Sequence, residues 1–235
     1  MEPDDAQLRE LLNVLSHDVR NPLAAIVTNL EFARRLCERG KAEKDLVDAV
    51  LDSAIATDLL RRIISNLDVL VKGEQLVASL HDVELAMVVE EAARRCRGRA
   101  EQAGISIVTS LPGTRRRAML DRGLFALALE NLLDNSLQHA PRDSTVRVDL
   151  EIDEAEARVL VHDQAGAIPP ELHELAVSAD GNCPRGRVPA ARYGRGLALL
   201  SARLAAEATG ARLSFGGEGA ESVMIITIPL VVTAG

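Results

Sequence analysis

Up to Gly73 the chain keeps a helical apolar spacing with one interruption, and past Gly73 that spacing breaks into short runs of mixed period. Leu8, Leu12, Leu15, Val19, Ile26, Leu30, Ala33 and Cys37 recur three or four apart, with Leu23 beside them, as one side of a long helix requires. Arg39-Gly40-Lys41 reads as a stop, since Gly40 suits the left-handed position after a helix end. A second stripe follows through Leu46, Val50, Leu60, Ile64, Leu67 and Val71, with small Ser53 and Thr57 in its middle. Two long helices joined so tightly must run antiparallel, and one hairpin cannot cover its own apolar stripe. Pairing two hairpins into a four-helix bundle solves this, so a homodimer is expected.

Beyond Gly73 the pattern predicts helices over 84–103, 121–139 and 197–208, the last ending at Gly210. Strands are predicted over 105–109, 146–152, 157–161, 213–215 and 223–228, the second and third forming a hairpin around an acidic turn. Strands and helices mix without a regular βαβ repeat, so an α+β sandwich with its helices on one sheet face is expected. The domains are then 1–73, an all-α helical hairpin, and 74–235, the α+β module.

Composition removes several classes of function. A net charge of -8 opposes binding to nucleic acid through phosphate neutralisation. Aromatics make up 2% of the residues and Trp is missing, which leaves no stacking platform for bases. The longest apolar run, Val223 to Val232, is roughly half the ~20 residues of a membrane helix and contains Pro229. The Met-Glu-Pro-Asp-Asp start is no secretory signal, so a cytoplasmic protein without membrane insertion is expected. Cys37, Cys96 and Cys183 lie far apart without metal-ligand spacing and read as reduced thiols.

One string is odd for a helix interior: Ser16-His17-Asp18-Val19-Arg20-Asn21-Pro22-Leu23. Pro22 removes a backbone hydrogen bond and collides with the Asp18 carbonyl, at about 3 kcal/mol, and predicts a kink one turn beyond His17. Asp18 flanks the imidazole and Asn21 follows at i+4 on the same side, as a base–nucleophile arrangement needs. The string resembles the H box of sensor histidine kinases. The resemblance implies that His17 is phosphorylated, that Asp18 assists as base, and that Asn21 supports dephosphorylation of the partner.

The likeness continues in the second module. Glu130-Asn131-Leu132-Leu133-Asp134-Asn135-Ser136 resembles that family's N box, with Asn131 and Asn135 one helical turn apart. It implies that Asn131 and Asn135 line the ATP site and that Asn135 holds Mg2+, for which one protein oxygen beside phosphates and waters is enough. The basic residue often found at the Gln138 position is missing.

Asp163-Gln164-Ala165-Gly166-Ala167-Ile168-Pro169 is similar to the G1 box, in which Asp163 would accept the adenine amino hydrogen and Gly166 would be the flexible point. Both family glycines are alanines here. If those positions require positive φ, each alanine costs about 1–2 kcal/mol, or five- to thirty-fold in nucleotide affinity. Gly194-Arg195-Gly196-Leu197 resembles the G2 box, whose glycines let N–H groups at a helix start close on phosphate oxygens. The segment before it carries Arg185, Arg187, Arg192 and Arg195, a phosphate-facing lid, but no Phe lies between Pro170 and Tyr193, where the family's F box stands.

The boxes follow in family order over nearly the whole chain. They imply a dimerisation and phosphotransfer hairpin followed by a Bergerat-type ATP-binding domain. The expected function is a soluble histidine kinase that autophosphorylates His17 from ATP and passes the phosphoryl group to a response-regulator aspartate. Ala165, Ala167, Gln138 and the missing F box favour an alternative, a phosphotransfer or scaffold protein with a decayed ATP pocket. An anti-sigma type serine kinase is a third reading and would need no H-box hairpin. Only about sixteen residues precede His17, too few for a sensor domain, so signals are expected from a sensor acting in trans.

Overall fold

The computed structural model describes residues 5–39, 43–113, 115–178 and 197–230; within the first two helices it describes the side chains of 19–38 and 44–72. The chain divides into two compact units, Met1–Leu67 and Asp68–Gly235.

The first unit is helical throughout its described residues. Helix α1 (Asp5–Arg39) runs through Pro22 without a break, and α2 (Glu43–Lys72) carries its last turn into the second unit. The positions withdrawn from solvent depart from the predicted stripes. In α1, Val19, Pro22, Ile26, Asn29, Ala33 and Leu36 are buried or half-buried, whereas Leu23, Leu30 and Cys37 are exposed. In α2, Leu46, Ala49, Ser53, Ala56, Leu60, Ile63 and Leu67 turn inward, while Val50, Ile64 and Val71 face water. Both helices are apolar on more than one side, so spacing alone does not say which side closes first. The small residues Ala33, Ala49, Ser53 and Ala56 take the inner positions, where side-chain bulk would hold backbones apart.

The second unit is a two-layer sandwich. After a short 3-10 turn (Gly73–Gln75), β1 (His81–Glu84) leads into α3 (Leu85–Ala103). Then come β2 (Ser106–Ser110), β3 (Arg117–Leu120), α4 (Arg122–His139), β4 (Thr145–Ile152) and β5 (Glu156–Asp163). A 3-10 turn (Pro170–Leu172) and the short α5 (His173–Ala176) follow, then α6 (Leu197–Ala208), β6 (Arg212–Gly216) and β7 (Ser222–Pro229). Five strands form one mixed sheet in the order β2-β4-β5-β7-β6, parallel only between β2 and β4. β1 and β3 make a separate antiparallel pair that the sequence pattern does not show, because two four-residue strands are too short to show a period.

Alternation sorts the sheet into faces. Val146, Val148 and Leu150 of β4, Val159 and Val161 of β5, and Met224, Ile226 and Ile228 of β7 are all buried on the helix side. Against them α4 sets Phe125, Leu129, Leu132 and Leu133, each fully buried and contributing roughly 1.5–3 kcal/mol. Asp121 starts α4: its Oδ1 accepts from the amides of Gly123 (2.9 Å) and Leu124 (3.1 Å), and its Oδ2 accepts from the Ser79 amide (2.9 Å). One carboxylate thus caps the helix and ties down the segment entering the domain.

Candidate nucleotide site

The N-box helix α4 has two working sides. On one, Glu130 and Asp134 turn to α3: Arg95 Nη1 donates to Glu130 Oε1 (2.9 Å) and Arg99 Nε to Asp134 Oδ1 (3.0 Å). Both rungs climb in the same order, so α3 and α4 run in the same sense where they meet. The Arg99–Asp134 rung is nearly dry, with side-chain exposures of 13% and 7%, so removing either member alone would take the opposite charge from a buried ion. Glu91 completes the clamp, accepting from Arg95 and forming a very short contact with Arg122. The Arg122 hydrogen bond and the two guanidinium charges hold the Glu91 carboxyl below the usual glutamate range, against an opposing contribution from burial. The roll of α4 is therefore fixed from behind.

On its other side α4 meets the sheet. Asn131 is buried and Asn135, one turn on, is half-buried. The Asn135 amide nitrogen lies 3.5 Å from Met224 Sδ of β7, which leaves its carbonyl oxygen as the end available to a cation. Ser136 Oγ donates to Asp163 Oδ2 at 2.5 Å, and Asp163 Oδ1 accepts from the Ala165 amide at 2.9 Å. Asp163, at the last position of β5, is 2% exposed. Two donors fill about half of a carboxylate's four acceptor sites, so the group is oriented while keeping capacity for a ligand donor. Ser136 does not stand out in the sequence, although it is the one hydroxyl-bearing residue of that helix.

The loop after Asp163 departs from expectation at its alanines. Neither Ala165 nor Ala167 has positive φ; among the described residues Asp143 is the only non-glycine that does. The left-handed position is Gly166, at φ 90°, between them. The strain expected of those alanines is not present, because the loop has moved its conformational demand by one residue. Ile168 then buries its side chain, and its carbonyl lies 2.9 Å from His173 Nε2.

Other expected site residues are placed less fully. His17 and Asp18 lie on α1, but their side chains are outside the described residues; Asn21, one helical turn on, is exposed. Leu197 opens α6, while Gly194, Gly196 and the four lid arginines fall outside the described residues. Among the described residues no cluster of three His, Cys, Asp or Glu is arranged to hold a metal, and no helix is long and apolar enough to cross a membrane. The donor set fits a nucleotide whose metal is held mostly by phosphates: an oriented buried carboxyl, an amide carbonyl and a left-handed glycine loop.

A mixed sheet covered on one side by three helices, with an N-box helix facing a strand-end aspartate, defines an ATPase domain of the histidine kinase type. Residues 120–232 match the family model described as histidine kinase-, DNA gyrase B-, and HSP90-like ATPase, and residues 7–76 match the His Kinase A (phospho-acceptor) domain. The sensor-like histidine kinase SenX3 of Mycobacterium tuberculosis is 26% identical over 237 residues, covering 98% of this chain and 56% of that protein. Sensor histidine kinase MtrB of Mycolicibacterium paratuberculosis is 28% identical over 228 residues, covering 95% of this chain and 39% of that protein. The chain thus spans about half the length, or less, of these curated relatives.

Solved structures agree in fold. Full-length ShkA in complex with AMPPNP gives a TM-score of 0.61 at 22% identity, covering 96% of this chain and 47% of that one. The Acinetobacter baumannii histidine kinase AdeS gives 0.55 at 17% identity, covering 92% and 98%. The chain belongs to the sensor histidine kinase family of two-component systems. Its ATPase-family domain makes ATP the nucleotide.

Proposed function

We propose that this chain is the kinase core of a two-component system: it phosphorylates His17 from ATP and passes the phosphoryl group to an aspartate of a response-regulator receiver. The observation carrying this reading is the pairing, in one chain, of a phospho-acceptor domain containing His17 with an ATPase domain whose Ser136, Asp163 and Asn135 converge beside a left-handed loop. Residues 1–73 serve as the dimerisation and phosphotransfer hairpin and residues 74–235 as the ATP-binding domain. The apolar positions left exposed on the hairpin, among them Val27, Leu30, Val50 and Ile64, supply a surface for a second copy.

Asp163 accepts the adenine amino hydrogen, with Ser136 and the Ala165 amide fixing its orientation. Asn131 and Asn135 line the phosphate end, and Asn135 holds Mg2+ through its carbonyl oxygen; when bound, the ion offsets phosphate charge. Gly166 shapes the base-side loop, and Gly194, Gly196 and Leu197 of the G2-like motif bind the phosphates. An imidazole nitrogen of His17 forms the N–P bond as the bridging P–O bond breaks and ADP leaves, while Asp18 takes the ring proton. Asn21 positions water for the opposing reaction on the receiver, in which water attacks phosphorus, the aspartyl P–O bond breaks and inorganic phosphate leaves. A receiver partner is a cytoplasmic one, and a sensor acting in trans is one route for input.

Incubation with γ-labelled ATP and Mg2+ tests this. The expected result is acid-labile label that disappears in His17→Gln and moves to a receiver aspartate. Acid-stable label, label retained in His17→Gln, or label arriving only from a phosphorylated receiver would overturn it.

A further inference from the structure

The loop after Asp163 does not hold itself. Gly166 donates its N–H to the Ala220 carbonyl (3.0 Å) and Ala167 donates to the Gly219 carbonyl (3.2 Å). Both acceptors belong to the turn between β6 and β7, outside the H, N, G1 and G2 boxes. The strands beneath are in register, with Asp163 opposite Ser222 and His162 opposite Val223. Strand pairing therefore continues past the sheet edge as two bonds from turn to loop.

The turn has its own constraint. Gly217 sits at φ 102°, and a Cβ there would overlap the Glu221 carbonyl oxygen and lie 3.0 Å from Glu221 C and Ser222 Cα. All three are backbone atoms, so no side-chain rotation relieves the clash; only a different turn does. Within the turn Glu221 N–H donates to the Glu218 carbonyl (3.0 Å). Outside it, Glu221 Oε1 lies 3.3 Å from His162 Nδ1, on the residue before Asp163. The other ring nitrogen of His162 faces Asp149 of β4 at 3.2 Å, and Asp149 also pairs with Arg147. The turn is thus fastened twice to the strand that carries the candidate adenine ligand: by its carbonyls through the loop, and by the Glu221 carboxylate.

We infer that the Gly217–Glu221 turn positions the nucleotide loop, with Gly217 and Glu221 as positioning residues for ATP that never touch it. This rests on the reading of Asp163 to Ile168 as the base-side loop. It explains how a G1 segment with alanines at both family glycines keeps its shape: Gly166 takes the left-handed position, and the remaining support lies in the following hairpin.

The test uses the full chain and two readouts, ADP affinity by calorimetry and amide exchange of Gly166 and Ala167 without nucleotide. Gly217→Ala is expected to weaken ADP binding about tenfold or more and to speed exchange at both amides while β4 stays protected. Glu221→Ala, which threatens folding less, is expected to weaken binding about threefold, and Glu221→Gln, which still accepts from His162, to restore most of it. Folded Gly217→Ala and Glu221→Ala variants with wild-type affinity and unchanged exchange at Gly166 and Ala167 would overturn the inference, even if both melt earlier. A wild-type chain that binds no ADP would overturn the nucleotide reading and this inference with it.

Discussion

Replacing residues of the Asp163 loop distinguishes a decayed G1 box from a relocated one. Gly166 holds φ 90°, and a Cβ added there would find only the Gly219 carbonyl at 3.7 Å, an ordinary contact. Gly166→Ala therefore costs backbone strain without a clash, about 1–2 kcal/mol. With a urea dependence of about 2 kcal/mol per molar, the unfolding midpoint falls by roughly 0.5–1 M. Ala165→Gly and Ala167→Gly, which restore the family glycines, relieve nothing, since neither residue has positive φ. They loosen the unfolded chain and cost about 0.4–1 kcal/mol each. Urea unfolding of the three variants, paired with ADP calorimetry, measures both effects. A stabilising Ala165→Gly or Ala167→Gly, or a gain of about fivefold in affinity (about 1 kcal/mol), would refute the argument and return the strain to the alanines.

Three further outcomes follow from the clamp and the site. Arg99→Met takes a guanidinium from the buried Asp134 carboxylate and should lower stability by about 3 kcal/mol in chemical unfolding; Arg95→Met, which takes one from the 1% exposed Glu130 side chain, should cost a similar amount. Ser136→Ala leaves the buried Asp163 carboxyl short of a donor and should cost about 1–3 kcal/mol, with weaker ADP binding; an unchanged affinity would mean that Ser136 does not orient the ligand. Glu91, held below the usual range by Arg122 and Arg95, contributes stability that is complete above the ordinary glutamate value and fades as pH falls through its lowered folded value. Glu91→Gln should therefore flatten the acid side of the stability profile, measured by thermal unfolding across pH.

Much of this was legible in the amino-acid order. The helical spacing before Gly73, the apolar helical run from Asp121 and the alternation of β4 and β5 are local signals, and the elements formed where those signals stood. The motif order likewise points to Asp163, Asn131 and Asn135 as one candidate site, because each box spans only a few residues. Less legible was the inward side of the hairpin. Val50 fits the period as well as Ala49 does, and only close packing prefers the small residue; Ile63 and Ile64 are equal in size, and Ile63 follows the side set by Ala49, Ser53 and Ala56.

The sequence by itself determined where the long helices and the strands of the five-stranded sheet form and which motif residues lie one turn apart, since helix period and strand alternation act over distances of a few residues. Tertiary structure alone decided how those side chains are held. Ser136 meets Asp163 across 27 positions, Arg99 meets Asp134 across 35, and the loop at Gly166 leans on carbonyls more than fifty residues later. Such pairings depend on which strands become neighbours in the sheet, and that order comes from burying the faces of all the strands at once.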